Sequence, residues 1–366
     1  MNKLDYIPSY IEVNKDNLID NLQNQMKILP EDATVFAVVK ANAYGHGMVE
    51  VAKLVLEHGV SGLCVATLNE AAKLRGAGIS APVLVLGITP YQYAQFAADN
   101  DISLTVGDLP WLEKAEVNNL KIHLSIDSGM GRIGFRKKSD LLEACEFIEN
   151  NTNKFIAEGI YTHFSTADSP DDSYFQIQRK RFNEMISNLP IDFKYIHCAN
   201  SATALWHEDI GINMVRFGIG LFGLNPSGTD ITELPYKQKP ALSLYSSLAF
   251  VKSVPAGEKI GYGATYTTSE EEWIGTVSMG YSDGWLRRMS GFDVLVDGQR
   301  CPIVGRICMN QFMIKLPHEV PVGSKVTLIG TDGNETITAT DAAAYSRTIN
   351  YEILCSLAEH LPRIYK

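Results

Sequence analysis

The chain has no apolar stretch approaching the roughly 20 residues needed to cross a bilayer as a helix, and its opening, M-N-K-L-D-Y-I-P-S-Y, has no apolar core of a secretion signal. Six cysteines (Cys64, Cys145, Cys198, Cys301, Cys308, Cys355) are scattered with no C-x-x-C pair. That spacing argues against a disulfide framework or a zinc ribbon and leaves them as small core residues. None of the eight histidines stands at H-x-x-x-H or H-E-x-x-H spacing, so no metal site is expected. No basic cluster offsets the formal net charge of −10, which sets aside nucleic acid and anionic membrane as partners. Internal repeats and low-complexity segments are absent too. At 366 residues and 45% hydrophobic, the sequence reads as a cytoplasmic globular protein of two domains, or one large barrel with an addition.

What is there changes character near residue 240. Before it, short apolar runs alternate with amphipathic stretches such as 16–26 and 139–149. The runs are 34–40, 62–66, 82–87, 102–106, 121–127, 157–164, 195–199 and 214–223. Runs apolar on both faces and separated by helices indicate a parallel sheet, and eight such units match a (β/α)8 TIM barrel. After it, alternating strands take over at 242–254, 273–279, 293–296 and 325–329, with turn signals V-D-G-Q and T-D-G-N and one helix near 339–345. The expected organisation is α/β plus β: a (β/α)8 barrel over 1–238, then a mostly β domain over 239–366.

In such a barrel the chemistry gathers at the carboxyl ends of the strands. The polar residues where the runs stop are Lys40, Asp127 with S-G-M-G-R, His163, His197 with C-A-N-S, and Arg216 with F-G-I-G. Each alone has an ordinary explanation: a solvated strand end, a satisfied core histidine, a tight turn. Together at one end of one barrel they point to a site. A lysine in apolar surroundings loses its proton more easily, and the neutral amine condenses with a carbonyl. Ser201 and the Gly218-Ile219-Gly220 turn offer backbone N–H groups for a phosphate. An aldehyde and a phosphate in one ligand describe pyridoxal phosphate.

At these residues the chain resembles the alanine racemases. V-V-K-A-N-A-Y-G-H-G (38–47) is similar to their cofactor-attachment segment. The likeness continues through D-S-G-M-G-R-I-G (127–134), T-H-F-S-T-A-D (162–168), H-C-A-N-S-A (197–202), R-F-G-I-G-L-F-G (216–223), G-Y-G-A-T-Y (261–266), G-Y-S-D-G (280–284), G-R-I-C-M-N-Q (305–311) and I-N-Y-E-I-L-C (349–355). Together these are specific to the family and span nearly the whole chain.

The resemblance implies a role for each matched position. Lys40 carries pyridoxal phosphate as a Schiff base and serves as one catalytic base. Tyr44, Tyr351, Ser201, Gly218 and Ile219 hold the phosphate, His163 lies beside the cofactor ring, and Arg216 faces the ring nitrogen. A guanidinium has no proton to give readily, so it leaves that nitrogen unprotonated and limits how far a carbanion spreads into the ring. Tyr262 matches the second base, with His197 expected to bond it and link it to Arg216. Arg132 and the Met309 backbone match substrate contacts, while Tyr281 and Asp168 line the access channel. The family's tyrosine comes from the other subunit of a head-to-tail homodimer, so shared sites are implied. The implied reaction interconverts L- and D-alanine, supplying D-alanine for peptidoglycan.

Two positions depart from the family pattern. Ser125 stands where many members carry a carbamylated lysine, so Arg132 is expected to need another partner, such as chloride or water. Asn310 replaces the commoner aspartate of C-M-D-Q. Among rival readings, a decarboxylase of this architecture would use a glutamate at the ring nitrogen and a β-domain cysteine, which Arg216 and Tyr262 oppose. A serine or broad-specificity racemase remains open. A cofactor-carrying protein built from the barrel alone would lack the β domain, and a Schiff-base aldolase would not require both tyrosines and Arg216.

Overall fold

The computed structural model describes residues 7–31, 33–207 and 213–366. The chain forms two compact units, one of Asn17–Ala43 and Gly47–Lys239, the other of Met1–Asp16, Tyr44–His46 and Pro240–Lys366. The chain's first strand, β1 (Tyr10–Val13), belongs to the second.

The first unit is an eight-stranded parallel sheet. Its strands are β2 (Thr34–Val38), β3 (Gly62–Val65), β4 (Val83–Ile88), β5 (Ile102–Val106), β6 (Leu120–Ser125), β7 (Phe155–Tyr161), β8 (Tyr195–His197) and β9 (Met214–Phe217), with β9 also paired to β2. An Ala199–Val215 bridge and the Arg216 N–H donating to the Ala199 carbonyl at 3.0 Å close the ring between β8 and β9. All eight fall on the eight apolar runs. β3 and β5 are buried along their whole length, as expected for strands covered on the outside by helices and filled on the inside by side chains. Each strand feeds a turn and then a helix, and local chemistry fixes some of those starts. Thr67 and Glu70 form a reciprocal capping box at helix Leu68–Gly76, and Asn200 caps Ser201–Trp206 through the Thr203 N–H at 2.9 Å.

The second unit is antiparallel. β10 (Leu242–Val254) pairs with Glu272–Val277, which pairs with Phe312–Leu316, then Gln299–Val304, Asp293–Val296 and Lys325–Asp332. That last strand pairs back on β10 and closes a six-stranded ring. β1 lies antiparallel to β10 on the other side, with Arg363–Tyr365 parallel to it. The V-D-G-Q signal is a two-residue hairpin whose central residues, Asp297 and Gly298, have φ of 48° and 73°, the left-handed pair this turn requires. The helix expected near 339–345 is Ala339–Tyr345. Strands Gln299–Val304 and Phe312–Leu316 and helix Asn350–Cys355 are additional to the sequence reading. Among the described residues, no helix is long and apolar enough to cross a membrane, and no cluster of His, Cys, Asp or Glu could hold a metal ion.

Candidate active site

Lys40 follows β2 and opens a turn of unusual hand. Ala41, Asn42 and Ala43 have φ/ψ of 51/51, 53/43 and 54/52, and Tyr44 has φ of 50°. Four successive L-residues in the left-handed region cost roughly 1–2 kcal/mol each, so the surroundings must hold them. Ala43 N–H donates to the Val39 carbonyl at 2.8 Å, and Ala41 N–H donates to Glu70 Oε1 at 2.7 Å. The Asn42 carbonyl accepts from Gly47 N–H at 2.8 Å, and its Oδ1 accepts from Met48 N–H at 2.9 Å at the start of helix Met48–Glu57. Every grip is polar, three within the turn and its flanks and one from Glu70, and together they hold the backbone that follows Lys40.

Arg216, at the end of β9, is 2% exposed. Its Nη1 donates to His197 Nδ1 at 2.7 Å; its Nη2 donates to the Thr162 carbonyl at 3.0 Å, His163 Nδ1 at 3.2 Å and the Cys198 carbonyl at 3.3 Å. Nε and the second Nη1 hydrogen make no hydrogen bond among the described residues, so two N–H groups of this cation have no acceptor there. Tyr161 lies beneath, its ring stacked on His197 at 4.7 Å and 5.2 Å from the guanidinium carbon. Burial, reinforced by the positive charge of Arg216, holds His197 and His163 well below the usual histidine range, so both rings are neutral. Lys40, Arg132 and Arg216 all act on His163, and burial pushes the Cys64 thiol up to about 12 against the pull of Arg216 and Lys40. Lysine, both arginines and the histidine therefore gather at one mouth of the barrel.

Beside them, Ser201 Oγ accepts from Gly218 N–H at 2.9 Å and Gly220 N–H at 3.3 Å. A Cβ on Gly220 would stand 2.6 Å from the Phe217 ring, so the backbone approaches Ser201 only as glycine. With its oxygen occupied by two backbone amides, the buried Ser201 hydroxyl turns its own hydrogen to another acceptor, as an anion's oxygen would be.

The second unit holds Tyr44, Tyr351, Tyr262, Tyr281 and Met309. Tyr44 and Tyr351 lie with ring centres 6.0 Å apart. A Cβ on Gly45 would meet the Leu354 carbonyl oxygen at 2.4 Å, which lets the Tyr44 segment sit directly on helix Asn350–Cys355. Tyr262 stands between Gly261 and Gly263, whose φ values of 73° and 74° make a tight loop, and is 68% exposed. Tyr281 and Met309 are exposed as well, on two loops tied backbone to backbone: Tyr281 N–H donates to the Cys308 carbonyl at 3.1 Å and Ser282 N–H to the Met309 carbonyl at 3.0 Å.

His197 does not have the expected bond available. It is wholly buried, and both ring nitrogens are taken, Nδ1 by Arg216 and Nε2 by His123 at 2.8 Å, leaving none for a tyrosine hydroxyl. His163, only part-buried and bonded to Arg216 through Nδ1, keeps its Nε2 unoccupied among the described residues. Arg132 is exposed, while Ser125 is 2% exposed with Oγ near the Ile133 carbonyl at 3.5 Å, too far for strong bonding. Asp168 is half-buried, which raises its carboxyl above the usual range. Sequence reasoning missed His123, Glu158 and Ser282. Glu158 was the findable one, a carboxylate in the middle of an otherwise apolar strand.

The family model described as the alanine racemase N-terminal domain matches residues 13–226, and that of the C-terminal domain matches 241–365. An alanine racemase of Latilactobacillus sakei is 52% identical, covering 98% of this chain and 97% of its own length. The crystal structure of alanine racemase from E. faecalis superposes with a TM-score of 0.96 at 47% identity, covering 98% of both chains. A histidine racemase from Leuconostoc mesenteroides superposes with a TM-score of 0.93 at 33% identity, covering 100% of this chain and 99% of its own. With a polar barrel mouth, a separate β unit and matches over nearly every residue, the chain belongs to the alanine racemase family.

Proposed function

We propose that the chain racemises alanine with pyridoxal phosphate as cofactor, using Lys40 on one face of the substrate Cα and Tyr262 on the other. The observation that carries this is the buried Arg216 guanidinium, which no carboxylate touches directly and whose Nε–H has no acceptor among the described residues. An unprotonated ring nitrogen is the acceptor such a donor suits, and the Ser201 hydroxyl, its oxygen already held by Gly218 and Gly220, suits a phosphate oxygen. When bound, pyridoxal phosphate supplies a carbonyl for an amine and a ring that accepts electron density from Cα.

The protein's own groups then have distinct tasks. Lys40 holds a proton at Nζ and passes it to or from one face of Cα. The Tyr262 hydroxyl does the same from the opposite face, with His163 Nε2 as its proposed hydrogen-bond partner in place of His197. Ser201, Gly218, Ile219, Tyr44 and Tyr351 anchor the phosphate; Arg132 and the Met309 backbone bind the substrate carboxylate; Tyr281 and Asp168 line the access channel. Arg216 keeps the ring nitrogen from being protonated. In this assignment the barrel (1–238) binds the cofactor and the β domain (239–366) supplies the second base. The chain works as a homodimer, each Tyr262 serving the partner's barrel, and the exposure of Tyr262, Tyr281 and Met309 supports a surface meant to be covered. A cytoplasmic role in making D-alanine for peptidoglycan follows from the same family membership.

Alanine is favoured over histidine as substrate because alanine racemases match this chain at 52% and 53% identity over nearly its whole length, against 33% for the histidine racemase. The test is incubation with L-alanine in D2O, following optical rotation and deuterium at Cα, with L-serine and L-histidine in parallel. Loss of rotation with deuterium uptake is expected for alanine. Faster exchange of serine or histidine would overturn the substrate, and no exchange of any would overturn the reaction.

A further inference from the structure

A chain of four hydrogen bonds crosses the barrel interior, on residues from five different strands. Arg216 Nη1 donates to His197 Nδ1 at 2.7 Å. His197 Nε2 and His123 Nδ1 are 2.8 Å apart, and His123 Nε2 and Glu158 Oε2 are 3.3 Å apart. Ser103 Oγ donates to the same Glu158 oxygen at 2.6 Å. Chemistry fixes the direction. A guanidinium can only donate, so His197 Nδ1 accepts and its proton lies on Nε2. His123 Nδ1 must then accept, which puts its proton on Nε2, facing a carboxylate that can only accept.

We propose that Glu158 is the counter-ion of Arg216, joined to it through His197 and His123 as a one-way chain of neutral rings. Its role in turnover rests on the reading that Arg216 faces the cofactor's ring nitrogen.

The interior is built for this chain. β6 and β7 shift register between Ile122 and His123, so that His123 lies opposite Gly159. A Cβ at Gly159 would stand 2.4 Å from His123 Nδ1, so glycine makes room for the imidazole. Lys121, held by Asp101 at 2.5 Å, and Lys194, over the Tyr195 ring, act on Glu158 through space, while His123 is the basic group that hydrogen-bonds it. Burial holds both histidines low and neutral. Burial also pushes Glu158 up, but the hydrogen bonds from His123 and Ser103 outweigh it and bring the carboxyl down to about 2. A carboxylate touching Arg216 would cancel its charge where the charge is used. With two neutral rings between them, the carboxylate balances the buried cation without touching it.

Two measurements on the full-length protein test this. Long-range proton–nitrogen NMR of 15N-histidine-labelled protein, assigned with His123→Asn, should show two neutral rings carrying the proton on Nε2 that do not titrate between about pH 5.5 and 8. A ring protonated on Nδ1, or one titrating in that window, overturns the proposal. Glu158→Gln keeps the shape and removes the charge. It should lower kcat for alanine about tenfold or more, with KM and the unfolding midpoint nearly unchanged, and Glu158→Asp should recover part of the loss. Wild-type kcat in the glutamine variant overturns the proposal. If that variant does not fold, the ring protonation decides alone. If the wild-type protein does not racemise alanine, the proposed function fails and the NMR result still judges the chain of rings.

Discussion

Asn310 Nδ2 donates to the Ser282 hydroxyl at 2.8 Å, and that hydroxyl donates onward to the Met309 carbonyl at 2.8 Å. A hydroxyl has one hydrogen; once it is spent on Met309, the remaining partner has to be a donor, which an amide is and an ionised carboxylate is not. The departure from aspartate at this position thus fits its neighbour. Asn310→Ala should loosen the Met309 loop and raise KM for alanine about fivefold, the worth of one net hydrogen bond, with kcat little changed. Ser282→Ala should do the same, and the double variant should be no worse than either. Additive losses in steady-state kinetics would show the two act separately.

Stability should fall in mild acid. His123, His163 and His197 are held below the ordinary histidine value by burial, so below about pH 6.5 the unfolded chain binds protons that the folded chain refuses. Each histidine then removes about 1.4 kcal/mol of stability per pH unit until its own folded pKa is reached. Urea midpoints measured from about pH 7.5 to 5 should decline steeply below 6.5 and be flat above it. A flat profile throughout would mean that these rings charge freely in the fold.

Gly45→Ala should be among the most damaging small substitutions. Its φ is +83° and the added carbon would meet the Leu354 carbonyl oxygen at 2.4 Å, so a loss of roughly 2–4 kcal/mol is expected. Gly76→Ala, where nothing lies within 4 Å, is the matched control and should be neutral or slightly stabilising by thermal unfolding.

Thiol labelling of the native protein should be confined to Cys355 and Cys308, with Cys308 the slower because it is half-buried beside Met309 on the surface the proposed dimer covers. Cys64, Cys145, Cys198 and Cys301 are buried, and burial pushes Cys64 and Cys198 up to about 12. Mass spectrometry after brief maleimide treatment near neutral pH should find at most two adducts, rising to six in denaturant.

The barrel was legible because its strands are buried on both faces and so carry unbroken apolar runs; β3 and β5 show it most plainly. The β unit was less so. Strand Gln299–Val304 holds Arg300 and Pro302, which break the alternation, and helix Asn350–Cys355 is too short for a periodic signal. At the site, strand-end position picked out Lys40 and Arg216 without help. Of the role expected of His197, the link to Arg216 is present, while its second nitrogen goes to His123, a partner that local sequence does not point to. His123 and Glu158 are far apart in sequence and meet through a register shift, which no linear pattern records.

The turn after Lys40 inverts the usual rules of substitution. Glycine, which weakens an ordinary helix, would relieve positions 41 and 43, where the backbone sits at φ of 51° and 54°. A D-alanine placed there by chemical ligation would lie in its own preferred basin, since those dihedrals mirror the right-handed helix. A chain proposed to exchange the two hands of alanine thus holds two of its own alanines in the backbone conformation natural to the opposite enantiomer.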